Sequence, residues 1–129
     1  MTDPIADLII RIQNGSAVGH ERVEAPYSKI KHAIADLLKK RSYVGEVMVE
    51  DTGVKKKLIL NLVYSDGRPA VNGVKRVSKP SRRLYESVGE IKKFKRGFGL
   101  SVYSTPKGVL DNFSAKKQNV GGEILFRIW

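Results

Sequence analysis

Two hydroxyls, an ammonium group and a glycine stand together near the end of the sequence, in Ser104, Thr105, Pro106, Lys107 and Gly108. Hydroxyls both donate and accept hydrogen bonds, and lysine adds three donors with a positive charge. The segment follows a predicted strand, where a loop presents several groups together, and glycine lets the backbone approach a ligand closely. These groups suit sugar hydroxyls, phosphates and base edges in a wide minor groove, and they fit a plain turn equally well.

Residues typical of catalysis are sparse. His20 lies among charges in a predicted loop and His32 on the polar side of a predicted helix, and neither has a nucleophile or metal-ligand spacing nearby. The glycines of Gly97-Phe98-Gly99 lack the third glycine and the lysine of a phosphate loop, which favours a tight turn. We therefore expect no enzymatic activity, cofactor or metal, and a small nucleic-acid hydrolase is the enzymatic alternative.

Positive charge dominates the chain and is unevenly distributed. The 129 residues include 24 Lys and Arg against 13 Asp and Glu, for a net charge of +11. Residues 1–65 carry ten basic and eight acidic side chains, whereas residues 66–129 carry fourteen and five. A hydrophobic content of 41% is too high for a disordered basic tail. The second half therefore carries most of the field that attracts a polyanion.

Cations and aromatic rings alternate along this basic half. Together they match a nucleic-acid surface, where cations neutralise phosphates and rings stack on bases, although singly each fits a solvated face or a core position. We expect Phe98 and Phe126 to be core residues. The cations are Lys75, Arg76, Lys79, Arg82, Arg83, Lys92, Lys93, Lys95, Arg96, Lys107, Lys116 and Lys117, and the rings are Tyr85, Phe94, Phe98, Tyr103 and Phe113.

The absence of cysteine excludes disulfide scaffolds, zinc ribbons, iron–sulfur sites and thiol catalysis, and indicates a reducing compartment. The N-terminal segment carries acids before its apolar stretch and Arg11 inside it, unlike a signal peptide. No apolar run approaches the roughly 18 residues of a membrane span. We expect a cytoplasmic protein with neither a membrane partner nor a small-molecule substrate.

Two helices and a small sheet are predicted in the first half. Asp3 is a suitable N-cap with Pro4 at the first helical position, and the helix is predicted to stop at Asn14 and Gly15. Ser28 is the predicted N-cap of a second helix that ends in basic residues. The predicted strands are 22–25, closed by Pro26, and a hairpin formed by 43–50 and 55–64.

The second half is predicted to be β-rich with short helices. Its predicted strands are 71–77, 84–85, 100–104 and 123–129, and helical segments are predicted over 90–95 and from the N-cap Asp111 to about Asn119. A turn signal at residues 66–69 separates the halves. The fold class is therefore predicted to be α+β: an N-terminal two-helix and small-sheet domain, residues 1–65, packed against a β-rich C-terminal RNA-binding domain, residues 66–129.

Four segments together resemble the bacterial small-subunit ribosomal protein S-eight family. They are TDPIADLIIRIQNG, SKIKHAIADLLKK, RVSKPSRRLY and STPKGVLDNFSAKKQNVGGEI, and they follow the family order over essentially the whole chain. The resemblance implies a structural, non-catalytic RNA-binding protein without a cofactor, located in a bacterial or organellar ribosome. It also implies direct, early binding to the central domain of small-subunit ribosomal RNA, beside neighbouring small-subunit proteins. The alternative is a translational repressor that binds its own operon mRNA at an rRNA-like site.

The resemblance also implies where RNA is contacted. One implied contact, Glu123, is an acid, and its negative charge is unfavourable beside RNA. Three explanations for its position are open: an ion pair with a nearby Lys or Arg, acceptance of a hydrogen bond from a base amino group, and a bond that fixes the Ser104 loop. The implied contacts are Thr2, Asp3, Pro4, Lys29, Lys55, Tyr85, Ser104, Thr105, Pro106, Lys107, Gly108, Gly121, Gly122 and Glu123.

The sequence departs from the family pattern at a few positions. Pro106 replaces a third hydroxyl and removes a backbone N–H, so one RNA hydrogen bond is expected to be lost or moved. Ser81 stands where glycine is common. Asp111 replaces a capping threonine conservatively, and Asn119 replaces glycine at a predicted left-handed helix end.

Overall fold

The computed structural model describes residues 3–129, apart from the side chain of Arg96. Thr2, one of the implied RNA contacts, lies outside these residues. Contacts divide the described chain into two compact units, Pro4–Asn72 and Gly73–Trp129, and Asp3 belongs with the second. The helices and sheets confirm the α+β fold class.

The first unit is a three-stranded antiparallel sheet covered by two helices. The elements are α1, Pro4–Val18; β1, Arg22–Pro26; α2, Lys29–Lys40; β2, Val44–Asp51; and β3, Lys56–Leu62. The helices α1 and α2 pack on the sheet, whose strand order is β1-β3-β2. Apolar side chains of the helices and of β3 form the core, with Leu8, Ile12, Ile34, Leu38, Leu58 and Leu60 fully buried.

Both helices begin where the sequence predicts, but α1 ends later. Ser28 caps α2, since its Oγ accepts from the Lys31 backbone N at 3.2 Å. The predicted stop at Asn14 and Gly15 is wrong, because the helix continues to Val18. Gly15 is buried, and a Cβ there would lie 2.6 Å from Val23 Cγ1. The glycine is therefore required by helix–sheet packing and does not terminate the helix.

Residues 66–69 form a hairpin turn within the first unit. Strands β4, Tyr64–Ser65, and β5, Arg68–Pro69, pair across the turn, and the Ala70 backbone N donates to the Val63 carbonyl at 2.9 Å. These bonds tie the segment to the preceding sheet strand, and the contacts separate only after Asn72. The predicted domain boundary between residues 65 and 66, with residues 66–129 as the RNA-binding domain, stays a prediction.

The second unit is built around one antiparallel sheet in which β10 is central. The strand order is β6-β10-β8-β9, and β7 also pairs with β10. A core of Ile91, Tyr103, Ala115 and Ile124 lies against this sheet. The elements are β6, Val74–Arg76; β7, Tyr85–Glu86; β8, Leu100–Thr105; β9, Gly108–Asp111; α3, Asn112–Lys117; β10, Gly122–Ile128; and 3-10 turns at Val88–Glu90 and Lys95–Gly97.

Several predictions for this unit are confirmed and others are wrong. Asp111 caps α3 through Oδ1, which accepts from the Ser114 backbone N at 2.8 Å, and Asn119 has φ 57°. Phe126 is fully buried, but Phe98 is 85% exposed, so its predicted core position is wrong. Strand β9 was missed because its four residues lack alternation and it forms by pairing with β8.

Candidate nucleic-acid interface

Three implied RNA contacts lie side by side on the sheet of the second unit. Tyr85 on β7 is opposite Glu123 on β10, and Glu123 is opposite Ser104 on β8. Residues directly opposite each other on antiparallel strands project from the same face. The neighbouring Tyr103 projects from the other face and is buried in the core. We call Tyr85, Glu123 and Ser104 the cross-strand row, and pairing alone brings them together from distant parts of the sequence.

The segment after Ser104 is the tip of the β8–β9 hairpin. Thr105 Oγ1 donates to the Gly108 carbonyl at 2.8 Å and accepts from the Lys107 backbone N at 3.1 Å. Gly108 has φ 104°, with open space where a Cβ would stand. Glycine is thus needed here for backbone conformation. Pro106 and Lys107 are exposed, so the Thr105 hydroxyl shapes the tip that presents them.

Ser104 and Tyr85 present unused polar and aromatic groups. The Ser104 hydroxyl has no hydrogen-bond partner among the described residues, and Tyr85 is 68% exposed. Lys107 Nζ lies 3.5 Å from the Gln118 carbonyl, a long contact that leaves most of its donor capacity available. The row and the adjacent tip therefore offer a hydroxyl, a ring and an ammonium group to a ligand.

Glu123 is bonded to the loop that precedes β7. Its Oε2 accepts from Ser78 Oγ at 2.5 Å, and Arg83 Nη1 lies 3.4 Å from Oε1. The buried Ser78 hydroxyl in turn accepts from the Leu84 backbone N at 3.1 Å. The ion pair considered in the sequence analysis is therefore present, and the carboxylate fixes residues 78–84. Its side chain is 13% exposed, so most of the carboxylate is covered by these contacts.

Gly121 and Gly122 permit the three strands to approach closely. A Cβ on Gly122 would overlap the Ser104 carbonyl oxygen and lie 2.9 Å from the Ser104 carbonyl carbon. A Cβ on Gly121 would overlap the Glu86 carbonyl oxygen and lie 2.9 Å from Ser87 Cα. Backbone atoms cannot move aside as a flexible side chain does. Both glycines are therefore structural requirements of the cross-strand row.

The remaining implied contacts lie elsewhere. Asp3 is paired with Arg76, with Oδ2 3.0 Å from Nε and Oδ1 3.3 Å from Nη2, and both side chains are mostly buried. Pro4, Lys29 and Lys55 belong to the first unit and are exposed. Lys55 lines a cationic groove of about 530 Å³ that also includes Arg11, Glu24, Ala25, Pro26, Lys56 and Lys57.

Sequence reasoning missed a bond beneath the cross-strand row. Tyr103, which precedes Ser104, donates its hydroxyl to Glu86 Oε1 at 2.5 Å, and Glu86 follows Tyr85. Burial first, and the Glu86 carboxylate second, raise the pKa of Tyr103 above its usual range. Tyr103, which the sequence places among the rings of a nucleic-acid surface, is instead buried in the core. No sequence signal pairs it with Glu86, because the contact depends on both strands flanking β10.

The histidines and acids form no catalytic or metal-binding group that the structure displays. His32 contacts Tyr27 and Asp36, with Nδ1 3.3 Å from the tyrosine hydroxyl and Nε2 3.6 Å from the carboxylate. Within residues 3–129, as described, no three His, Cys, Asp or Glu are placed to hold a metal ion. In the same residues no helix is long and apolar enough to span a bilayer.

Comparison with known proteins identifies the family. The family model of ribosomal protein S8 matches residues 3–129. The small ribosomal subunit protein uS8 of Nitratidesulfovibrio vulgaris (strain DP4) is 43% identical over 129 residues, covering 100% of this chain and 99% of the relative. The protein of the same name from Mycoplasma mobile is 41% identical over 129 residues, covering 100% and 97%. The chain, matched over its whole length, belongs to the ribosomal protein S8 family.

Proposed function

We propose that the protein is a primary binder of the central domain of small-subunit ribosomal RNA and nucleates assembly there. Membership of the S8 family makes it a structural ribosomal constituent, and its relatives are named as small-subunit proteins. The observation that carries the proposal is the cross-strand row, which presents Ser104, Tyr85 and Glu123 on one face of the more basic unit. We place the protein in the cytoplasmic ribosome, beside other small-subunit proteins.

Affinity and specificity come from different groups in this proposal. Exposed cations such as Lys107, Lys116 and Lys117 neutralise phosphates without reading sequence. The Ser104 hydroxyl bonds a 2′-hydroxyl or base edge, and the Tyr85 ring stacks on an unpaired base. The partly exposed Glu123 carboxylate accepts a hydrogen bond from a base amino group. This division suits structured RNA, whose wide minor groove exposes 2′-hydroxyls.

The other implied contacts take supporting roles. Thr105, Gly108, Gly121 and Gly122 hold the hairpin tip and strands in place, while Pro106 and Lys107 form the surface that meets the RNA backbone. Asp3 keeps Arg76 in position. Pro4, Lys29 and Lys55 form a second contact area on the first unit, and Thr2 lies outside the described residues.

Footprinting on small-subunit ribosomal RNA combined with Ser104→Ala tests this proposal. We expect protection of one helix in the central domain. We also expect the alanine variant to lose about 1–3 kcal/mol of affinity for that helix, because an RNA partner is left unbonded. Ser65→Ala, which removes an exposed hydroxyl on β4, should bind as the wild type does. Equal losses on the protected helix and on random duplex RNA would contradict the specificity assigned to Ser104.

The same surface supports binding to an operon mRNA that imitates the ribosomal site. A competition binding assay tests this role. Such an mRNA should displace the protected ribosomal helix from the protein, and Ser104→Ala should weaken binding to both RNAs equally. If the mRNA of this operon does not compete with the ribosomal helix, the repressor role is contradicted and only the ribosomal role remains.

A further inference from the structure

Residues 92–98, which we call the Phe98 turn, lie at the end of β8 opposite to the cross-strand row. Phe98 is 85% exposed and precedes β8, which runs from Leu100 to Thr105. A strand rises about 3.3 Å per residue, so Leu100, where β8 begins, lies about 13 Å from Ser104, and the Phe98 turn precedes that end of the strand. An exposed aromatic ring this far from the row is not explained by contacts at the row.

The Phe98 turn is anchored to the sheet. The Phe94 ring packs edge-on against Trp129, with centroids 5.5 Å apart, and Lys95 Nζ lies 4.8 Å from the Trp129 centroid. A Cβ on Gly99 would overlap the Phe94 ring, so glycine is needed for this packing. Lys95 and Gly97 have φ 49° and 92°, so the chain turns through left-handed conformations just before Phe98. Packing of Phe94, Gly99 and Trp129 thus fixes the residues on both sides of the exposed Phe98.

The charge around Phe98 is entirely positive in local sequence. Residues 91–99 contain Lys92, Lys93, Lys95 and Arg96 and no acid. Lys92 and Lys93 are exposed, and neither has a hydrogen-bond or ion-pair partner among the described side chains. Protein–protein interfaces are depleted in lysine, whereas lysine beside an exposed ring is typical of single-stranded nucleic-acid sites. The composition therefore favours RNA over an acidic protein as the partner.

We propose that the Phe98 turn is a further RNA-binding site, separate from the contacts assigned above, in which Phe98 stacks on an unpaired base and Lys92 and Lys93 bind the flanking phosphates. The inference rests on the proposed function for the source of its ligand, which is a single-stranded segment of the same ribosomal RNA. Because the Phe98 turn and the cross-strand row lie at opposite ends of β8, we assign this segment to RNA that flanks the helix bound by the cross-strand row.

Two RNA probes test the site separately from the proposed function. Oligouridylate reports single-stranded binding, and the footprinted helix reports the cross-strand row. We expect Phe98→Ala to weaken oligouridylate binding roughly five- to a hundredfold, as loss of one stacked base does, and to leave helix binding unchanged. A Lys92→Gln, Lys93→Gln double variant should weaken oligouridylate and flatten its salt dependence. Val54→Ala, at a residue that is 91% exposed on the first unit, is the matched control and should change neither.

Changes in the NMR chemical shifts of backbone amides on addition of oligouridylate locate its binding site directly. We expect the largest shifts at Gly97, Phe98 and Gly99 in the wild type. Wild-type binding of oligouridylate by both variants, or shifts confined to the cross-strand row, would overturn the proposal. If subunits assembled with the Phe98→Ala variant lack another ribosomal protein while RNA binding is unchanged, the proposal is also overturned, and the Phe98 turn binds a protein instead. If the wild type does not bind the ribosomal RNA helix, the proposed function is contradicted and the Phe98 site is not, since oligouridylate binding is measured independently.

Discussion

Glu123 illustrates how a single side chain is explained by its neighbours. An acid within a unit of high positive charge is unfavourable for binding RNA, yet Ser78 and Arg83 both contact its carboxylate. These contacts hold residues 78–84 against β10 and so set the position of Tyr85 at the start of β7. The acid is thus retained for local structure as well as for the RNA contact that we propose.

Gly122→Ala should destabilise the protein strongly. The added Cβ would overlap the Ser104 carbonyl, and overpacking against the backbone costs about 1–3 kcal/mol or more. Chemical denaturation measures the free energy of unfolding. Gly89→Ala is the control, because a Cβ there meets nothing within 4 Å, and its effect should stay within about 0.5 kcal/mol. Equal stabilities of the two variants would contradict the close strand approach.

Tyr103→Phe should lower the free energy of unfolding by about 1.5 kcal/mol at neutral pH, since it removes a hydrogen bond to the Glu86 carboxylate. Burial raises the pKa of Tyr103 in the folded state, so the contribution of its hydroxyl is present below the unfolded tyrosine pKa of about 10 and declines above it. Urea unfolding at neutral and alkaline pH measures this difference.

In the same experiment, wild type and Tyr103→Phe should converge in stability as the pH rises above about 10. Tyr85→Phe removes the hydroxyl of an exposed ring and should leave stability unchanged. A difference between wild type and Tyr103→Phe that stays constant with pH would contradict preferential burial of the neutral phenol.

At the scale of elements, Gly15→Ala in α1 tests why this helix continues past a predicted stop. Alanine normally stabilises a helix interior by about 1 kcal/mol relative to glycine. Here the Cβ would lie 2.6 Å from Val23 Cγ1 and 3.0 Å from Leu62 Cδ1, so we expect a net loss of about 1–2 kcal/mol. Adding Val23→Ala should recover part of that loss in thermal or urea unfolding. A stabilised single variant would show that α1 does not pack this closely.

Helix starts were predictable from local chemistry, whereas strand β9 was not. Ser28 and Asp111 cap their helices by bonding a backbone N–H three residues later, a contact encoded within four residues. Strand β7 contains two residues, and the sequence predicts a strand one residue earlier, at 84–85. Strand β9 contains four residues without alternation and is defined by pairing with β8 across the turn at residues 106 and 107, so no pattern within the strand indicates it.

At the scale of the whole molecule, net charge should appear as a salt dependence of RNA binding. We expect the affinity to fall with salt at a slope of roughly 0.7–0.9 per phosphate contact. A Lys116→Gln, Lys117→Gln variant should reduce this slope, because both lysines are exposed at the end of α3 in the basic second unit. Lys39→Gln with Lys40→Gln changes a matched pair at the end of α2 and should reduce it less. Binding independent of salt would contradict phosphate-based affinity.

The sequence alone determined the α+β class, the basic second half and the hydroxyl-bearing segment at Ser104, because composition, capping residues and periodicity are local properties. Its resemblance to the S8 family was confirmed over the full chain. Only the tertiary structure decided that Tyr85, Glu123 and Ser104 share one face, since strand register depends on pairing between distant segments. It also decided that Phe98 is exposed, since the two rings that pack together next to it are those of the half-buried Phe94 and Trp129.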